Sequence, residues 1–305
     1  MITKGNTEVL AVYLGETQIS AIYKGSDVVF ATGVVTYSVT TNLTNITSDA
    51  PSIVVEGSSL QVTLSVNTGH YLDNNSVAVT MDGVDITSTA YSNGVVTIAE
   101  VTGAVVITAA TMFDAEVEYI ATDGVAYIDT NYKVSSSLKI DFNIYIQNHS
   151  GQNAWLFGSR KDSSSERFAF FHYLTNNQCA WYFGTKSKTL SNKHYDPGTY
   201  NFNNLSEART LKIGNDTYSA DSNTFSSNYT IFIFTLNNGG SPALSTIVEG
   251  VRFITGKMYN GSTLVRDYIA VRKNGVGYLF DKVNKVLYGN ANETGAFTYG
   301  NDKNS

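Results

Sequence analysis

The sequence predicts an all-β protein, and three observations carry the prediction. Leu60, Val62, Leu64 and Val66 alternate with Gln61, Thr63 and Ser65, the period of a strand with one buried face. Similar short apolar runs recur along the chain, separated by turn formers such as Asp82-Gly83 and Asn93-Gly94. Charged residues make up only 15% of the 305 positions, against about 25% in ordinary soluble domains. Ser, Thr, Asn, Tyr and Gly fill the gap. Their hydroxyl and amide groups suit wet sheet faces, because they bond to water without repelling neighbours. A chain of this length is expected to form two or three domains.

The first segment, 1–33, is a short repeat. Gly5, Gly15 and Gly25 stand ten residues apart, each followed by polar residues, with Ala11-Val12-Tyr13, Ala21-Ile22-Tyr23 and Val29-Phe30-Ala31 between or after them. Glycine with polar neighbours makes tight turns, and the apolar triplets are strand-like. Three such copies bury little alone, so a small β-meander that docks on a partner surface is expected.

In the second segment, 34–112, Val77 and Val79, residues 95–98 and residues 104–107 repeat the strand signature around Leu60–Val66. Turns are expected at Asn74-Asn75, Asp82-Gly83, Asn93-Gly94 and Thr102-Gly103. Several short strands without a helical period point to an antiparallel sandwich.

The third segment, 113–305, holds the long aromatic strands. Leu138, Ile140, Phe142, Ile144 and Ile146 alternate with Lys139, Asp141, Asn143, Tyr145 and Gln147, giving one core face and one polar face. Residues 155–157, 168–173, 181–183 and 231–234 are instead continuously apolar or aromatic. Such runs suggest a two-sheet sandwich, with one curved sheet whose aromatics line a shallow surface.

Composition excludes several functions. The formal net charge is −6 and no Lys/Arg stripe is visible, so nucleic acid is not an expected partner. The single cysteine, Cys179, lies beside Ala180 and Trp181 and reads as a buried small hydrophobe. No apolar stretch is long enough for a membrane helix, and residues 1–6 do not read as a secretory signal.

Two resemblances sharpen this. Residues 81–87, from Met81-Asp82-Gly83, and residues 93–103, from Asn93-Gly94-Val95, resemble immunoglobulin-like modules of bacterial and phage proteins, which serve as spacers. Residues 118–130 resemble the opening of a concanavalin A-like (laminin-G-like) jelly-roll domain. The closing stretch is more telling: Leu264-Val265-Arg266-Asp267-Tyr268-Ile269-Ala270-Val271-Arg272, then Gly277-Tyr278-Leu279-Phe280-Asp281-Lys282-Val283-Asn284. The family pattern there reads LVRD(F/Y)IPVR followed by GLYD.VN. Ala270 replaces its proline and Phe280 its tyrosine.

The module order resembles a bacteriophage virion appendage, which implies a non-enzymatic fibre, tail-tip or head-decoration subunit on the virion surface. Its N-terminal segment would dock on other virion proteins and its jelly roll would adhere to host-surface glycans. A homo-oligomer, with a trimer as first expectation, would add weak contacts by avidity. A bacterial cell-surface adhesin and a purely structural decoration protein are the alternatives. A glycoside hydrolase fits less well, because no Glu-x-Asp-x-x-Glu places three carboxylates in one cleft; Glu116-Val117-Glu118 lacks the third, and Asp162 to Glu166 reads as an exposed loop. His70, His149, His172 and His194 lack metal-ligand spacing. Sugars stack on aromatic faces flanked by polar groups, which singles out Trp155, Arg160, His172, Trp181 and Tyr182 as carbohydrate-binding candidates. Many relatives of the fold carry a structural calcium ion, and Asn215-Asp216 or Asp221-Ser222-Asn223 are the turns where oxygens could ligate one.

Overall fold

The computed structural model describes residues 35–147, 153–173, 177–193, 195–220 and 224–303, together with strand backbone between residues 3 and 31. The architecture is all-β, and the chain divides into two compact units, residues 1–112 and 113–305.

Within the first 33 residues three antiparallel pairs form: Thr3–Lys4 with Thr7–Glu8, Val12–Leu14 with Thr17–Ile19, and Ala21–Lys24 with Asp27–Ala31. The expected glycine turns at Gly5, Gly15 and Gly25 lie outside the described residues.

The rest of the first unit is a two-sheet sandwich. One sheet orders Tyr91–Ser92, Val95–Ile98, Leu60–Val66 and Ile46–Ser48; the other orders Val84–Asp85, Ala78–Met81, Val105–Ala110, Thr36–Thr44 and Ile53–Val55. Alternation sets the core: Leu60, Val62 and Leu64 are buried, and Val62, Val79, Val96, Val105 and Ile107 are fully so. Asp82-Gly83 (φ 50° and 78°) and Asn93-Gly94 (φ 48° and 85°) close two-residue hairpins, where both central residues need positive φ. Asn74-Asn75 instead begin a short 3-10 turn capped by the Asp73 carboxylate, which accepts the Asn75 N–H at 3.1 Å. The expectation of a wholly antiparallel sandwich fails at one place: Val105–Ala110 runs parallel to Thr36–Thr44 over six register pairs. The two strands are separated by most of the unit, so the long crossover that parallel pairing needs is present.

The second unit is a larger sandwich. Its principal strands are β1 (Ile128–Ser135), β2 (Leu138–Ile146), β3 (Ala154–Arg160), β4 (Arg167–Tyr173), β5 (Gln178–Gly184), β6 (Lys186–Ser191), β7 (Gly198–Asn203), β8 (Thr210–Ile213), β9 (Asp216–Ser219), β10 (Ser226–Ile233), β11 (Arg252–Asn260), β12 (Thr263–Lys273), β13 (Val276–Asp281) and β14 (Val286–Tyr288). The large sheet runs β9-β8-β7-β2-β11-β12-β13-β14, and the second runs β1-β10-β3-β4-β5-β6. The core between them is aromatic. Phe142 and Phe202 of the large sheet meet Phe157 and Phe170 of the second, with edge-to-face centroid distances of 5.4 Å (Phe142–Phe157), 5.8 Å (Phe157–Phe202) and 5.1 Å (Phe170–Phe202). Each such pair contributes about 0.5–1.5 kcal/mol beyond the area it buries. The stretch 264–284 forms the β12–β13 hairpin and the turn after it. There the buried Asp281 carboxylate accepts the Asp267 and Val283 N–H groups, both at 3.0 Å, and the Asn284 amide at 2.6 Å.

Candidate functional site

Strands β3, β4 and β5 show how one sheet builds two different faces. Register pairs Phe157 with Phe170, Phe168 with Phe183 and Phe170 with Trp181, all on the core side. On the opposite side Trp155 pairs with Phe171, Gly158 with Ala169, and Ala169 with Tyr182. Trp155 and Arg160 are five residues apart and would point opposite ways in a regular strand. A bulge between Trp155 and Phe157 inserts one residue and brings both to the outer face.

The outer face carries a compact aromatic cluster. The Trp155 and Phe171 ring centroids lie 4.2 Å apart and those of Trp155 and Tyr182 5.4 Å apart. The Arg160 guanidinium sits 5.6 Å from the Trp155 ring and that of Arg167 5.1 Å from the Tyr182 ring. Cation–π pairs of this kind are worth about 0.5–2 kcal/mol. Both guanidiniums are oriented from behind: Arg160 Nε donates to Asn238 Oδ1 at 2.9 Å, while Arg167 donates to the Gly184 and Ser163 carbonyls, each at 3.1 Å. Trp155 is 8% and Phe171 6% exposed, so the accessible part of the face is the half-buried Tyr182 and Arg160. Leu236 and Ala243 pack with the cluster. Phe234, at φ 74°, breaks strand alternation just after β10, so that Phe234 packs in the core while Leu236 reaches the outer side. A bulky residue in that conformation costs about 1–3 kcal/mol and persists only where packing enforces it.

Three of the five candidates therefore come together: Trp155, Arg160 and Tyr182. Trp181 and His172 do not. Trp181 is fully buried on the core side, edge-on to Phe168 at 4.9 Å, and its Nε1 donates to the Arg209 carbonyl at 3.0 Å. His172, also fully buried, accepts the Tyr195 N–H through Nε2 at 3.2 Å. Successive strand residues face opposite ways, so Trp181 and Tyr182 share no face. Arg167 and Phe171 were missed; both follow from Tyr182 once the β4–β5 register is known. Cys179 is fully buried, and burial pushes its thiol up to about 12.

The other polar candidates are tied into the fold. Glu116 pairs with Lys303 at 2.6 Å, and Glu118 accepts the Asn301 N–H at 3.2 Å. Hydrogen bonds from Ser164 and Ser165 hold the Asp162 carboxyl well below the usual carboxylate range. The Asp216 carboxylate bears the Lys193 ammonium at 2.7 Å and the Tyr195 hydroxyl at 3.1 Å, both on Oδ2. Residues 221–223, His149 and His194 lie outside the described residues. Among the described residues, no group of three or more His, Cys, Asp or Glu is placed to hold a metal ion.

No family model matches the chain, and no curated protein matches it. Among solved structures, a "putative carbohydrate binding protein" from Bacteroides ovatus ATCC 8483 is similar at a TM-score of 0.43 and 9% sequence identity, over 88% of this chain and 97% of that one.

Proposed function

We propose that this protein is a non-enzymatic appendage subunit of a bacterial virus whose second unit recognises host-surface glycans through the aromatic face of its second sheet. The observation that carries the glycan reading is the outer cluster of Trp155, Phe171 and Tyr182 with two oriented guanidiniums. Tyr182 offers a ring to the C–H face of a sugar, and Arg160 offers N–H donors to its hydroxyls at the same spot. The virion role is supported by the module order, and by a repeat segment whose short strand pairs suit docking on other virion proteins. A symmetric oligomer, a trimer in the first instance, would turn weak single contacts into adhesion. In this reading the first unit is an immunoglobulin-like spacer and the second a concanavalin A-like head.

The test is a glycan array and a whole-cell binding assay with the full chain, alongside Tyr182→Ala and Arg160→Ala. Saturable binding that both variants weaken supports the proposal. Binding that neither variant changes removes the aromatic face as the site.

A further inference from the structure

A polar groove lies on the other side of the same unit. On the outer face of the large sheet, β2, β11 and β12 enclose a groove of about 290 Å³, lined by Asp141, Asn143, Thr255, Lys257, Asp267 and Lys282. Alternation puts these groups there. Asp141 and Asn143 are two of the outward residues of β2, and register sets Asp141 beside Lys257, Asn143 beside Thr255, and Lys257 beside Asp267.

Apart from the exposed Lys257, the polar side chains are held in place by one another or by Asn201. Asn203 donates to Asn201 at 2.6 Å, and Asn201 donates to Asp141 at 2.5 Å and to Asn143 at 3.2 Å. Asn143 in turn donates to the Thr255 hydroxyl at 3.0 Å. Lys282 pairs with Asp267 at 3.2 Å. Within this row Asn201 commits both amide hydrogens, whereas Asn143 keeps one, Thr255 keeps its O–H, and Asp141 keeps acceptor positions. A face of this kind is preorganised, so ordering it costs a ligand little.

The composition of the groove selects the ligand. Two carboxylates and two ammonium groups balance, so neither an anion nor a cation is favoured overall. Donors and acceptors alternate over a few ångströms, which matches a molecule with a hydroxyl on nearly every carbon. Ile269 adds an apolar patch for a C–H face. The volume is just below the roughly 300–1,000 Å³ of drug-sized ligand pockets, which suits a small sugar. We infer that the outer groove of the large sheet is a binding site for a neutral saccharide, independent of the aromatic face on the opposite sheet.

The full chain is titrated with a panel of neutral mono- and disaccharides, with sulfated disaccharides as the anionic comparison, followed by saturation-transfer NMR and calorimetry. At least one neutral sugar is expected to bind, with affinity indifferent to added salt. Asn143→Ala and Lys257→Ala each remove a hydrogen-bonding group and weaken it about three- to tenfold, whereas Tyr182→Ala leaves it unchanged. Lys257 is exposed, so its replacement leaves the fold intact if Asn143→Ala does not. The inference is overturned if no neutral sugar binds, if only sulfated sugars bind, or if neither groove variant has an effect. Loss through Tyr182→Ala alone overturns the groove and upholds the aromatic face; loss through the groove variants alone upholds the groove and leaves the aromatic face to the glycan-array test of Tyr182→Ala and Arg160→Ala.

Discussion

At the residue scale, Trp181 and Tyr182 are neighbours with opposite duties. Trp181 fills the core and anchors the Arg209 carbonyl, while Tyr182 is the ring that the outer face presents. Trp181→Ala should lower the stability of the second unit by about 3–5 kcal/mol through the cavity and the lost indole bond. Tyr182→Ala should lower it by less, about 1–2 kcal/mol, through its contacts with Trp155 and Arg167. Chemical denaturation followed by circular dichroism measures both, and equal losses would contradict the placement of the two rings. The composition of residues 181–183 gave no means of telling them apart, because Trp, Tyr and Phe are all apolar enough for either side. Where polar and apolar residues did alternate, as along Leu138–Ile146, both faces were legible, and the outward Asp141 and Asn143 now line the groove.

At the element scale, the β3–β4 pair depends on Gly158. A Cβ built there would lie 2.3 Å from the Ala169 Cβ, 2.6 Å from its Cα and 2.8 Å from the Phe168 carbonyl oxygen. Two of these neighbours are backbone, so no rotamer change relieves the clash. Gly158→Ala should cost about 2 kcal/mol or more and displace the Trp155 bulge. The same denaturation assay, read with tryptophan fluorescence, to which Trp155 and Trp181 both contribute, checks this. A variant with unchanged stability and spectrum would show that the strands stand further apart. The sequence marked Gly158 only as the residue after an apolar run, since close approach of a partner strand leaves no local signal. Turns were different. Asp82-Gly83 and Asn93-Gly94 carried their conformation in their own side chains, whereas Gly103 sits where a Cβ would meet the Asp82 Cβ at 2.7 Å and answers to packing. The bulge that turns Trp155 and Arg160 to one side was likewise invisible, because it is a property of two paired strands.

At the scale of the whole molecule, the second unit keeps several phenols inside. Burial raises Tyr195, Tyr218, Tyr268 and Tyr288 above the ordinary tyrosine value, and the Tyr195 and Tyr218 hydroxyls also bond to each other at 3.0 Å. The fold therefore retains protons that the unfolded chain releases from about pH 10. The unfolded state then binds fewer protons than the native one, so stability falls as pH rises. The share contributed by these phenols should be fully present below about pH 10 and decline steadily above it. Denaturation midpoints measured on either side of that value check this, and a flat profile would mean that water reaches these rings. The all-β class itself was legible at this scale, from low charge, alternation and turn chemistry together.

The parallel pairing of Val105–Ala110 with Thr36–Thr44 joins the first and last long strands of the first sandwich side by side. A pull on residues 35 and 111 in opposite directions would slide these strands along each other, so the bonds of the pair share the load and must break together. A hairpin pulled from its ends peels apart one bond at a time. The first sandwich is thus wired to resist stretching along the chain.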